Sequence, residues 1–116
     1  MGVVERLIEG SIDIHVHLGP DPRFERRQSA FEGARQADEI GMRAIVLKSH
    51  DYPTAPVASL ASQLVKKLLV FGSLALNTAV GGLNPAAVET SARMGAKIIW
   101  MPTFSAAGDK GSPHYN

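Results

Sequence analysis

Hydrophobic and polar residues along this chain keep changing period. Val3, Val4, Leu7 and Ile8 repeat at helical spacing and Gly10 follows them, which predicts a short amphipathic helix. From residue 11 the pattern alternates. Ser11, Asp13, His15 and His17 fall on one side of a predicted strand, and Ile12, Ile14, Val16 and Leu18 on the other. The run GPDP then stops that strand, because neither residue type continues a ladder comfortably.

Helical spacing returns in SAFEGARQADEIG. Ser29 and Glu32 have the spacing of a capping box, Phe31, Ala34, Ala37 and Ile40 form a predicted inward stripe, and Gly41 suits the left-handed position after the last turn. MRAIVLKSH is a short apolar run of the kind buried on both faces of a parallel sheet. In TAPVASLASQLVKK, Thr54 is the expected cap, Pro56 lies in the first turn, and Val57, Leu60, Ala61 and Leu64 are the predicted buried stripe. LLVFGSLALN reads as a third strand, Asn84–Pro85 as a capped helix start, and AKIIWMP as a fourth strand ended by Pro102.

Strand starts near residues 11, 43, 68 and 97 are one βα unit apart, predicting four parallel strands alternating with helices through right-handed crossovers. ADEIGMRAIVLKSH and SARMGAKIIWMPTF repeat the same helix–glycine–strand pattern. An eight-unit barrel takes ~250 residues, and this chain has 116. The expected fold is therefore α/β and TIM-barrel-like, about four βα units forming a half-barrel in a single domain over residues 1–116. A flavodoxin-like sandwich would press Asp13, His15, His17 and Lys48 against a helix layer, which is costly. An inner face so polar, with two free edges, predicts completion by homo-oligomerisation or by a missing C-terminal half-barrel.

Composition narrows the chemistry. The sequence is 45% hydrophobic and 20% charged with a net charge of +1, so no dedicated nucleic-acid or acidic-membrane surface is expected. No run approaches the ~20 apolar residues of a membrane span, and the start is too short and acidic for a secretory signal; a cytoplasmic protein is the default expectation. Cysteine is absent. Any metal must be held by nitrogen and oxygen ligands, with zinc the first expectation and manganese or iron the alternatives.

His15 and His17 sit at i and i+2 of one strand, close enough to share an ion whose Zn–N bonds are ~2.0–2.1 Å. His50 lies at the end of the second strand, so three imidazoles converge if those strands are neighbours ~4.8 Å apart. Asp13 is placed either to orient a ligating ring or to pair with Lys48. Lys48 is a candidate to bind a substrate oxygen. Arg23, in GPDPRFERRQS, is a candidate clamp for a substrate carboxylate or a solvated rim residue. Asn77 opens NTAVGGLNP, a loop whose backbone amides at Gly81 and Gly82 could face an oxyanion, and it is a candidate substrate-binding residue. Trp100 and Met101 read as packing, and His114 as solvated.

IDIHVHLGPDP resembles the first-strand motif of the metal-dependent amidohydrolase superfamily. GMRAIVLKSHD and NPAAVETSARMGAKIIWMP resemble a little-characterised amidohydrolase-like branch of it. The resemblance implies one or two divalent ions in a distorted barrel, with hydrolysis of an amide, ester or related bond of a small-molecule substrate. It implies His15 and His17 as ligands and Asp13 as a supporting residue. The chain departs from the pattern at its fourth strand, which ends WMPTF without the carboxylated lysine or glutamate often found there; Lys97 stands at the opposite end. The spacing of the histidines is also similar to the polymerase-and-histidinol-phosphatase phosphoesterases, although Ser49 stands where their second-strand aspartate is usual. A third reading is a catalytically incomplete fragment or oligomeric scaffold.

Overall fold

The computed structural model describes residues 2–109. In chain order these form α1 (Val3–Ile8), β1 (Ile12–Val16), α2 (Ala30–Glu39), β2 (Ala44–Leu47), α3 (Ala55–Ser62), β3 (Leu69–Phe71), β4 (Ser73–Ala75), α4 (Pro85–Arg93) and β5 (Ile98–Trp100). Short 3-10 turns lie at Thr78–Val80 and Ala107–Asp109. His114 falls outside the described residues.

All strand pairings are parallel. β1, β2 and β3 make one sheet in that order, and β4 and β5 make a second. The barrel expectation is therefore corrected: the described residues form two small open sheets without closure, a small α/β arrangement of short strands and helices. The predicted third strand is split at Gly72. A Cβ there would lie 2.3 Å from Ala55 Cα, so the backbone runs hard against the start of α3. Past that contact, side chains replace the ladder between β2 and β4. The Thr54 hydroxyl donates to the Leu47 carbonyl at 2.7 Å and accepts from the Ser73 N–H at 2.8 Å. Ser73 Oγ donates to the same Leu47 carbonyl at 2.6 Å. Thr54 precedes α3 without capping it, because its hydroxyl is spent on this junction.

The other local signals take the form their chemistry predicts. Ser29 and Glu32 close a reciprocal capping box, and Asn84 Oδ1 accepts from the Ala87 N–H at 3.3 Å. Gly41 and Gly95 have φ of +82° and +93°, where a side chain would be strained. The helix stripes differ from the prediction. Phe31, Ile40, Leu60 and Leu64 are exposed, while Ala30, Ala34, Ala37, Ala58 and Ala61 are buried. Small residues let the helices approach the sheet closely, and the larger ones flank that seam. The core is formed by these alanines with Ile45, Leu47, Leu68 and Val70, with Val16 and Leu18 packed against it.

β1 is an edge strand with Ile12, Asp13, Ile14 and His15 all exposed. None of the α1 residues is buried. Among the described residues, no helix is long and apolar enough to cross a membrane.

Candidate metal centre

β1 does not alternate evenly. Asp13 pairs with Ile45 but Val16 pairs with Leu47, so β1 takes three steps where β2 takes two. The extra residue is a bulge, which re-aims side chains along the strand. Asp13 is separated from the histidines as a result. It lines a cavity with Val16, Leu18, Gln36 and Ile45, and its Oδ1 accepts the backbone N–H of His15 at 3.0 Å. Asp13 thus acts on the local backbone, and its expected hydrogen bond to an imidazole or ion pair with Lys48 is not formed.

His15 and His17 converge. Their Nε2 atoms are 3.0 Å apart, with ring centroids 4.9 Å apart and planes at 62°. His15 is exposed and His17 half-buried. The Nδ1 atom of His17 is buried without a hydrogen-bond partner. Burial depresses the His17 pKa below 6.5, and the positive charges of Arg26, His15 and Lys48 push the same way, with the Lys48 backbone partly opposing. These influences disfavour the protonated ring and favour the neutral imidazole, the form that ligates a metal.

His50 comes beside this pair without joining it. Its ring is nearly parallel to that of His17 at 4.9 Å between centroids, and it stacks on Phe104 at 3.8 Å and 12°. Its Nδ1 is 2.7 Å from Thr103 Oγ1. Burial, followed by the Lys48 and His17 charges, takes its pKa down to about 4. Among the described residues, no three His, Cys, Asp or Glu side chains come together as a metal-binding group. The expected convergence therefore ends at two imidazoles, with His50 held by its hydroxyl and aromatic neighbours.

Lys48 is 5% exposed, and its Nζ lies 4.5 Å from the centroid of the Trp100 ring. Burial lowers its pKa. The ion pairs among the described residues join Arg23 to Asp51, Arg26 to Asp21 and Arg93 to Glu89, so Lys48 has no carboxylate partner there. Trp100 also meets His15, with ring centroids 5.2 Å apart, and its indole Nε1 is buried without a hydrogen-bond partner.

Arg23 and Asn77, the two candidate substrate-binding residues, are both committed. Arg23 Nε lies 2.9 and 3.0 Å from the two carboxylate oxygens of Asp51, and its NH2 group is 2.9 Å from Oδ1. Asn77 is 2% exposed. Its Nδ2 donates to the His50 carbonyl and to Thr103 Oγ1, both at 2.9 Å, while its Oδ1 accepts from the N–H groups of Thr103 and Ser105 at 2.8 and 3.1 Å. An amide has two donors and two acceptor lone pairs, and all four are used. Asn77 ties the loops after β2 and β5 together. Trp100, Thr103 and Phe104 were not among the sequence candidates. Their signal was positional: WMPTF occupies the carboxyl end of a parallel strand, where side chains of successive strands meet.

A family model described as "Family of unknown function (DUF6282)" matches residues 10–115, and the chain belongs to that family. No curated protein and no solved structure matches it.

Proposed function

We propose that this chain carries the metal-binding edge of a divalent-metal-dependent hydrolase, with His15 and His17 as two of the ligands and a small amide or ester as substrate. The observation that carries this reading is the 3.0 Å approach of the two Nε2 atoms at the end of β1. One ion with Zn–N bonds of ~2.0–2.1 Å can reach both. The donor set fits such an ion: burial and nearby positive charges disfavour protonation of His17, and His15 is exposed at an edge strand. Two imidazoles leave further coordination positions for water and substrate.

When bound, the ion supplies Lewis acidity, which activates water for attack and polarises the scissile carbonyl. The chain's own residues do the positioning. The bulge in β1 re-aims the side chains that follow it, and Asp13 fixes the backbone leading into His15 by accepting its N–H. Phe104 and His50 wall the site on the β2 side, and Trp100 adjoins His15. Asn77 keeps that wall in place through the His50 carbonyl and Thr103.

The test compares the wild type with His15→Ala/His17→Ala on a panel of small amides and esters after zinc or manganese loading. A loss exceeding the ~10–100-fold typical of supporting residues is expected, since ligands themselves are removed. Equal turnover by the two proteins would overturn the reading.

A further inference from the structure

We propose that Lys48 and the indole N–H of Trp100 form a seat for a singly charged carboxylate, placing an anionic group of the ligand beside the His15–His17 pair. That the carboxylate belongs to a substrate rests on the hydrolase reading; the seat itself does not.

Three observations lead there. Lys48 is a buried cation with no ion pair among the described residues, and nearby chain segments offer it no free carboxylate pair. Asp51 is held by Arg23, Asp21 by Arg26, and the Asp13 Oδ1 by the His15 backbone. A desolvated ammonium without a counter-ion is costly. The face of Trp100, 4.5 Å away, satisfies part of that charge, and a cation–π contact leaves the ammonium's three N–H donors open to an anionic acceptor. Secondly, the same indole carries one of the two buried side-chain nitrogens that lack a hydrogen-bond partner among the described residues; the other is His17 Nδ1. Unsatisfied buried polar atoms are rare in folded proteins and often mark where a ligand completes the network. Here one unsatisfied donor and one buried cation without an ion pair among the described residues meet at a single aromatic ring. Thirdly, that ring is in contact with His15, so an anion held by Lys48 and Trp100 lies next to the pair proposed to bind metal.

The ligand class follows from charge and size. A single ammonium neutralises one negative charge. A dianionic phosphate would keep an uncompensated charge in surroundings that already desolvate Lys48, whereas a carboxylate is matched by one cation and one neutral donor.

The chain has one tryptophan, so its indole N–H gives one NMR cross-peak and one fluorescence signal. The metal-free full chain is titrated with sodium acetate at constant ionic strength, with sodium chloride and inorganic phosphate as comparisons. Acetate is expected to move the Trp100 signal saturably and chloride not at all. Lys48→Met should weaken the acetate response at least about tenfold, because truncating one partner of a buried charge pair costs more than the 1.4 kcal/mol that a factor of ten represents. Lys48→Arg should retain it. A wild-type sample labelled at lysine Cε gives a second readout that needs no variant, with Lys48 the lysine that responds to acetate. An unchanged response in folded Lys48→Met, no saturable change in the wild type, or a Lys48 Cε resonance indifferent to acetate would overturn the seat. Phosphate binding as tightly as acetate would overturn the carboxylate assignment. Because no metal is present, loss of the hydrolase reading alone leaves these outcomes unchanged.

Discussion

The ends of β1 and β5 both carry hydrogen-bonding side chains and put them to opposite uses. Beyond β5, Thr103 and Ser105 deliver their N–H groups to Asn77, Thr103 Oγ1 serves both Asn77 and His50, and Phe104 covers the His50 ring. That network is half-buried around the buried Asn77, whose amide is fully satisfied. At β1, His15 and His17 face each other at the edge of a sheet, and beside them the Trp100 N–H is unpartnered and Lys48 has no ion pair among the described residues. A polar cluster whose hydrogen bonds close on themselves holds the chain together. One with open valence is available to a ligand, and the difference between the two regions is what locates the candidate site.

Breaking the closed network should have the largest effect on stability. Asn77→Ala strands the His50 carbonyl and the N–H groups of Thr103 and Ser105, and a loss of ~2–4 kcal/mol is expected from urea denaturation. The metal binding proposed for His15 and His17 should persist in that variant at temperatures where it remains folded.

Acid should come next, acting on both regions. His50 has a pKa of about 4 in the fold against 6.5 without it, so the native state favours the neutral ring. The unfolded chain binds the proton first as pH falls, so this stabilisation is complete above 6.5, declines between 6.5 and about 4, and is gone below that. Asp21 and Asp38 shift in the same direction from 3.8. For Asp21, hydrogen bonds from the Arg23 and Phe24 backbone and from the Arg26 guanidinium outweigh burial, which opposes them; for Asp38 the donors are the backbone N–H groups of Lys66, Lys67 and Leu68. Their contributions are present above 3.8 and are lost at still lower pH. The His17 pKa is lowered from 6.5 as well, so thermal melts should fall in two stages on acidification, and His50→Gln should reduce the first to the His17 contribution. An unaltered first stage in that variant would show that another group is responsible.

Smaller still is Thr103→Val, which removes one hydroxyl from Asn77 and His50 and should cost ~1 kcal/mol. His15→Ala should change stability least, within ~0.5 kcal/mol, because the residue is exposed at an edge strand. A large loss there would mean that the His15–His17 contact is structural, and the comparison would collapse.

Strand and helix positions were legible because each is written in local chemistry. The capping box at Ser29, the cap at Asn84, and the glycines at 41 and 95 act on their own neighbours, and the four strand starts followed from them. Three features were not legible. The bulge in β1 depends on pairing with β2, so even alternation wrongly grouped Asp13 with the histidines. The break at Gly72 depends on how close Ala55 comes. The sheets' failure to close is a property of all the strands together. For the site, the His15–His17 pair was readable from its i, i+2 spacing. The commitments of Arg23 to Asp51 and of Asn77 to Thr103 and Ser105 join residues about 26 to 28 positions apart, beyond the range of any sequence window. Trp100 looked like packing because an aromatic on a strand usually is. Its orphaned N–H and its contacts with Lys48 and His15 appear only in three dimensions.

The central claim is that His15 and His17 hold a divalent ion. It is tested most directly by elemental mass spectrometry on untagged protein purified without chelator, beside His15→Ala/His17→Ala prepared identically. Near-stoichiometric zinc, manganese or iron in the wild type and none in the variant is the predicted result. Equal metal in both proteins, or none in the wild type even after reconstitution, would contradict it.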